Sequence, residues 1–288
     1  MSRLFAAAAS QRSVRRRRPG GMVAARAAVH FCVARYQVCT SSAVMSTAKQ
    51  HYDQLLGKHY TWSVAGSGDP FEPAATWLVR HGLADFARYL DLGAGFGAHA
   101  VPLARAGKSV TAVDFHAGLL AELRAAAGSV ATCEAELGAY LEDAVAAAAT
   151  WDAVLCLGDT LTHLPDRAAV EHLVDGAARV LAPGGVLALG YRDYSGPPRT
   201  GIERFIPVRH DAQRSLVCCV EAIDDDHLSV TDLITTAEPG GLRTQLSAYR
   251  KLRLAPAAVV AWAAAAGLTL ERQTTEQAML LQIFRALA

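Results

Sequence analysis

From residue 85 onward the chain alternates short apolar runs with longer amphipathic stretches. Tyr89–Leu92, Ser109–Val113, Val130–Cys133, Ala153–Leu157 and Val186–Leu189 are apolar nearly throughout, with little polar alternation. Strands covered on both faces have this character. Between them, 98–106, 117–127, 137–149 and 166–181 read as helices, and Gly107 and Gly128 stand where the first two should stop. Repeated strand–helix units predict a parallel, doubly wound sheet.

The flanks have a different rhythm. Residues 45–84 are helical in pattern, with one segment over 49–59 and a second opening at Asp69-Pro70-Phe71-Glu72. In that second segment Asp69 is the expected cap, Pro70 the first helical residue and Glu72 a capping-box acid. After residue 202 the runs 205–209, 216–223, 228–236 and 242–254 are β-rich, separated by Asp224-Asp225-Asp226 and Pro239-Gly240-Gly241. They predict an antiparallel meander. A helix over 256–266 and strands over 269–273 and 279–285 follow. The expected fold class is α/β: a doubly wound, mostly parallel seven-stranded sheet, with a small antiparallel β insert at about 202–254 before the last helix.

Charge divides the chain. Residues 1–44 hold eight arginines, no lysine and no acid, so the net charge of +1 leaves the remainder at −7. A mildly acidic body gives no reason to expect a nucleic-acid partner. Residues 1–44, with Arg15-Arg16-Arg17-Arg18, have the composition of an organellar transit peptide. An over-extended start ahead of Met45 and a functional basic arm are the alternatives. Plastid or mitochondrion is the expected location on the first reading, and cytoplasm otherwise. The domain proper is expected over 45–288. The apolar run at 23–38 is broken by Arg26 and Arg35 and is too short for a bilayer, so no membrane partner is expected. Six cysteines form no CxxC pair and no Cys/His ligand spacing, so neither a metal site nor a structural disulfide is expected.

The chemistry concentrates where the first strand turns into its helix. Asp91-Leu92-Gly93-Ala94-Gly95-Phe96-Gly97 places an acid just ahead of three glycines, which let backbone approach a ligand closely. The same residues satisfy the dinucleotide pattern G-x-G-x-x-A, so a nicotinamide or flavin site competes. Asp114, at the end of the second strand, suits ribose hydroxyls in either case. Later elements discriminate. Trp151–Gly158 is a strand ending in Asp159-Thr160-Leu161-Thr162-His163, and Pro183-Gly184-Gly185 feeds the next strand. Those elements in that order are the pattern of Rossmann-like methyltransferases, which use S-adenosyl-L-methionine (SAM).

The chain most resembles glycine N-methyltransferase and related small-molecule N-methyltransferases. The resemblance rests on residues 151–166, Pro183-Gly184-Gly185 and Tyr191-Arg192-Asp193-Tyr194, with a weaker echo at Leu246-Ser247-Ala248-Tyr249. It implies SAM as cofactor and a small-molecule acceptor, methylated at an amine nitrogen. By resemblance, Asp91, Gly93, Gly95 and Gly97 cradle the donor's methionine part, and Asp114 takes the ribose. Glu136 and Leu137 flank the adenine. Leu157, Gly158 and His163 line the meeting point of donor and acceptor, and Arg192 holds an acceptor carboxylate. Asp159 departs from the asparagine often found at this place. An anion there suits an ammonium acceptor or its proton, and opposes a carboxylate.

Asp159, His163 and Arg192 are therefore the catalytic candidates. For His163 a helix-capping role, and for Arg192 a surface salt bridge, are the structural alternatives. His51-Tyr52, His59-Tyr60 and Trp62 form an aromatic cluster suited to closing over a sulfonium methyl or to ordinary packing. An O-methyltransferase, a nicotinamide oxidoreductase and a non-catalytic SAM-binding protein are the competing functions. Oligomeric state is not legible.

Overall fold

Residue-by-residue alternation on the central strands sorts side chains onto two faces, and each face collects its own core. A computed structural model describes residues 37–40, 45–65 and 68–288. Apart from Gln37–Thr40, the leader assigned to 1–44 lies outside the described residues. In chain order, β1 is Gln37–Thr40, α1 Ala48–His51, α2 Gly57–Val64, α3 Glu72–Arg80, β2 Arg88–Leu92, α4 Ala100–Arg105, β3 Ser109–Asp114 and α5 Ala117–Ala126. Next come β4 Ala131–Glu134, α6 Leu137–Ala146, β5 Trp151–Cys156, α7 Arg167–Arg179 and β6 Leu181–Tyr191. The rest are β7 Phe205–His210, β8 Arg214–Ala222, β9 His227–Glu238, β10 Gly241–Leu252, α8 Pro256–Ala265, β11 Leu268–Glu276 and β12 Met279–Ala286.

The larger sheet has seven strands in the order β11-β12-β6-β5-β2-β3-β4. Pairs β2–β3, β2–β5, β3–β4 and β5–β6 are parallel, and β12 runs antiparallel to both β6 and β11. On β2, Tyr89 packs with Leu78, Leu103, Leu120 and Leu123, whereas Leu90 and Leu92 pack with Leu141, Leu173 and Leu187 on the other face. The chain order reverses at β2, with β3 on one side and β5 on the other. Such a switch opens a crevice at the carboxyl ends of the strands. Strands β7 to β10 form an antiparallel meander, joined at its edge by β1 running parallel to β10.

The seven-stranded fold and the insert agree with the sequence reading; some local expectations do not. The third helix begins at Glu72, with Pro73 rather than Pro70 in its first turn. Asp69 sits one step earlier, where its carboxylate accepts the Phe71 N–H at 3.0 Å. The segment over 49–59 continues to Val64, with a π-helical stretch, Tyr52–Leu56, joining α1 to α2. Pro183-Gly184-Gly185 is a bulge inside β6, marked by the register step from Trp151↔Leu181 to Ala153↔Val186. Among the described residues, no helix is long and apolar enough to cross a membrane.

Gly97 sets how closely the turn after β2 packs on α5. Its φ is +91°, and a Cβ there would stand 2.7 Å from Leu123 Cγ and 2.8 Å from Val101 Cγ2. Gly97→Ala therefore combines backbone strain with overpacking and should cost about 2–5 kcal/mol. A denaturant melt measures the loss, and an unchanged midpoint would contradict this packing.

Candidate active site

The turn between β2 and α4 is held by its neighbours rather than by its own side chains. The N–H groups of Gly93 and Ala94 both donate to the Val113 carbonyl on β3, at 2.8 and 3.1 Å. Gly95 donates its N–H to Asp114 Oδ2 at 2.8 Å, and His116 N–H donates to Asp114 Oδ1 at 2.8 Å. Two backbone donors thus aim one carboxylate along the rim of the crevice. Burial nevertheless raises the Asp114 carboxyl above its ordinary value. Gly93 has φ +75°, and any Cβ on it would collide with the Thr160 side chain. That collision explains why this place in the cradle tolerates no side chain.

A cavity of about 780 Å³ opens over this turn. Gly93, Gly95, Asp114, Glu136 and Leu137 line one end, and Gly158, Thr160 and His163 continue the floor. Tyr52 and Tyr60 come from the N-terminal helices, and Arg250, Lys251 and Leu252 come from β10. Seven sequence-predicted residues, Gly93, Gly95, Asp114, Glu136, Leu137, Gly158 and His163, thus share one wall.

The others lie elsewhere. Asp91 is 1% exposed and sits beneath the turn, not on the cavity wall. Strand alternation puts it on the Tyr89 face, where the Ala100 N–H of α4 reaches it. Its Oδ2 has no hydrogen-bond partner, and burial, then the nearby Asp114, push its carboxyl up to about 7. Gly97 faces α5, as described above. Leu157 lines a second cavity of about 300 Å³ with Trp77, His81 and Leu280, and Gly158 borders both cavities.

Asp159 and Arg192 are behind the wall and bound to each other. Asp159 holds a left-handed backbone, φ +75°, and its carboxylate is almost fully buried. Oδ1 accepts the Arg192 N–H at 2.9 Å and the Thr162 hydroxyl at 3.0 Å. Oδ2 accepts from the Arg192 guanidinium at 3.1 Å and from Lys251 Nζ at 2.5 Å. Burial opposes the charge, but Lys251, His163 and Arg192 outweigh it and hold this carboxyl at about 2. An Asp159–His163 pairing across a helical turn does not form. Thr160–His163 is a single 3₁₀ turn, and the Asp159 carboxylate turns to β10 and β6 instead.

His163 is a buried imidazole between rings, 5.9 Å from Tyr52 and 5.5 Å from Tyr249 in a perpendicular contact. Its Nε2 has no hydrogen-bond partner. Burial first, and then the Lys251 charge, press its pKa down to about 3. It does not cap a helix by a side-chain hydrogen bond: Asp166 caps α7, accepting the Ala169 N–H at 2.8 Å.

The N-terminal aromatic cluster divides. Tyr52 and Tyr60 face the cavity, with ring centroids 5.4 Å apart. Trp62 instead donates to Asp211 at 2.7 Å and lies under the Arg214 guanidinium. His51 is fully buried, with Nε2 2.9 Å from Asp232 Oδ2, and stacks on Tyr249 at 4.3 Å. The Cys218 thiol donates to the other oxygen of Asp232. Lys251, Tyr249 and Asp232 were not singled out as site residues from the sequence. The available signal was the two-residue step from Tyr249 to Lys251, which puts both on one face of a strand. Asp232, an acid inside an otherwise apolar strand, was a second clue.

Residues 90–185 match the family described as "Methyltransferase domain". Glycine N-methyltransferase of Rattus norvegicus is 28% identical over 182 residues, which are 58% of this chain and 62% of that protein's own length. The solved structure of the CcbJ methyltransferase from Streptomyces caelestis matches with a TM-score of 0.62 at 22% identity, over 84% of this chain and 97% of that one. SAM-bound CalS10, an amino pentose methyltransferase from Micromonospora echinaspora, matches with a TM-score of 0.61 at 20% identity, over 86% and 99%. The family match runs from β2 into β6, through the turn, Asp114 and Gly158, which is the part of the chain that builds the cavity floor. Residues 90–185, a third of the chain, thus match a methyltransferase domain, and the chain shares the fold of these solved methyltransferase structures.

Proposed function

We propose that this protein transfers a methyl group from SAM to the amine nitrogen of a small molecule. The observation that carries the reading is a single cavity, glycine-floored and acid-rimmed at one end, aromatic and histidine-lined at the other. The residues fit the donor. Gly93 and Gly95 offer bare backbone for its methionine part, and the oriented Asp114 carboxylate suits ribose hydroxyls. Glu136 and Leu137 stand where an adenine would lie against β4 and α6. Asp91 and Gly97 act from beneath, by shaping the turn. The likeness to glycine N-methyltransferase supports nitrogen as the acceptor atom, and the fold shared with an amino pentose methyltransferase supports a small molecule as its carrier.

When bound, SAM supplies a methyl group already activated on a sulfonium, so the protein's share is alignment and exclusion of water. Tyr52 and Tyr60 give that region an aromatic wall, with Tyr249 packed against His163. His163 adds a neutral ring to that wall, with its Nε2 buried and unpartnered. Neither Asp159 nor His163 takes up a proton near neutral pH, the first because its cations keep it ionised, the second because burial disfavours its charged form. The acceptor therefore reacts as an amine that has already lost its proton.

Incubation with methyl-labelled SAM and a panel of small amines tests the reading. Label on an amine nitrogen is the expected result, and NADH binding without SAM binding would overturn it. Asp114→Asn should weaken S-adenosylhomocysteine binding by about tenfold or more, as loss of a charged hydrogen-bond acceptor does. Titration calorimetry reads this, and an undiminished affinity would remove Asp114 from the ribose.

Asp91 gives a separate pH signature. Its carboxyl, raised from 3.8 to about 7 in the fold, contributes stability that is whole below the lower value and lost as pH rises to the upper. Stability of the wild type relative to Asp91→Asn should therefore fall across that window. Paired thermal melts read the difference, and a flat difference curve would contradict the buried position.

A further inference from the structure

The wall beside His163 contains a complete anion-binding seat, and the chain fills it with its own side chain. Four donors from three elements converge on the Asp159 carboxylate: the Arg192 amide and guanidinium, the Thr162 hydroxyl and Lys251 Nζ. Both oxygens are served, in the two-oxygen manner by which a guanidinium, an amide and an ammonium would hold a free carboxylate. Lys251 and Asp159 are buried, 6% and 3% exposed at their side chains, and Arg192, 46% exposed, closes the seat from the surface side. Lys251 stands on the cavity wall with His163 and Gly158, so the seat borders the space where an acceptor would lie.

From this convergence we infer that Asp159 is a specificity residue acting as a built-in substitute for a substrate carboxylate. The acceptor class that fits is an amine on a neutral skeleton, without a carboxylate beside the nitrogen, rather than an α-amino acid. An incoming carboxylate would have to displace Asp159 from four donors while both anions stayed out of water. A neutral amine meets no such opposition. The inference rests on the methyltransferase reading for the word "acceptor". The filled seat itself is independent of that reading.

Acetate is the probe. Asp159→Gly removes the carboxylate and suits the left-handed backbone at that position, and Asp159→Asn is the companion that keeps shape and tolerates the same backbone. Acetate binding is read by thermal shift against equal chloride, without donor, for wild type and both variants. The expected result is acetate binding in Asp159→Gly about tenfold or more tighter than in wild type, the scale of one hydrogen bond to a charged group. If Asp159→Gly folds only with acetate and not with chloride, the same conclusion follows. If it folds in neither, Asp159→Asn decides, and an acetate shift above that of the wild type is required. Wild type binding acetate as tightly as the variants, or folded variants gaining nothing over chloride, would overturn the inference. S-adenosylhomocysteine titration of the wild type tests the donor reading separately. Its failure would leave the acetate result standing as a statement about the seat alone.

Discussion

One buried carboxylate fastens the antiparallel sheet to the parallel one. Asp159 leaves the end of β5 in a left-handed turn and meets Lys251 from β10 and Arg192 from the end of β6. Taking those charges out of water is costly, and the arrangement holds because both oxygens of the carboxylate are satisfied. Removing one partner of such a buried pair typically costs about 3–5 kcal/mol, because the other charge is left stranded. The position of β10 over the cavity, and hence of Tyr249 and Lys251 beside His163, depends on this contact. A residue that reads as catalytic in the sequence thus acts in the structure as a fastener.

The consequence for chemistry is a division of labour between the two ends of the cavity. The donor end is built from backbone and from one carboxylate, Asp114, aimed by two backbone N–H groups. The other end is built from rings, a neutral imidazole, Arg250 and a lysine, Lys251, already engaged by an anion. Neither His163 on that wall nor Asp159 behind it takes up a proton at neutral pH. Such a site favours positioning over acid–base catalysis, which suits transfer from a leaving group that needs no activation.

The fold was legible because buried parallel strands announce themselves as short apolar runs between glycine-stopped helices, and the meander by its punctuated β-rich runs. Where the expectation failed, a neighbour decided. Pro70 fits a helix start as well as Pro73 does, but the Asp69 carboxylate takes the Phe71 amide and delays the helix. Pro183-Gly184-Gly185 reads as a turn, yet it becomes a bulge because β5 and β6 continue pairing on either side. That Gly93, Gly95, Asp114, Glu136 and Leu137 share one cavity was legible because they lie within one stretch of chain, where motif spacing maps onto space. Asp91 is the exception, since alternation along β2 carries it under the turn. The acceptor end was not legible in the same way. It is assembled from residues distant in the chain, such as Lys251 and Asp159, 92 positions apart, and local sequence carries no record of that pairing.

The most direct test of the account is a crystal structure of the protein with S-adenosylhomocysteine. The account predicts the ribose at Asp114, the adenine between Glu136 and Leu137, and the sulfur directed towards Gly158 and His163. A ligand lying the other way round, with its adenine at Lys251, or absent from this cavity altogether, would contradict it.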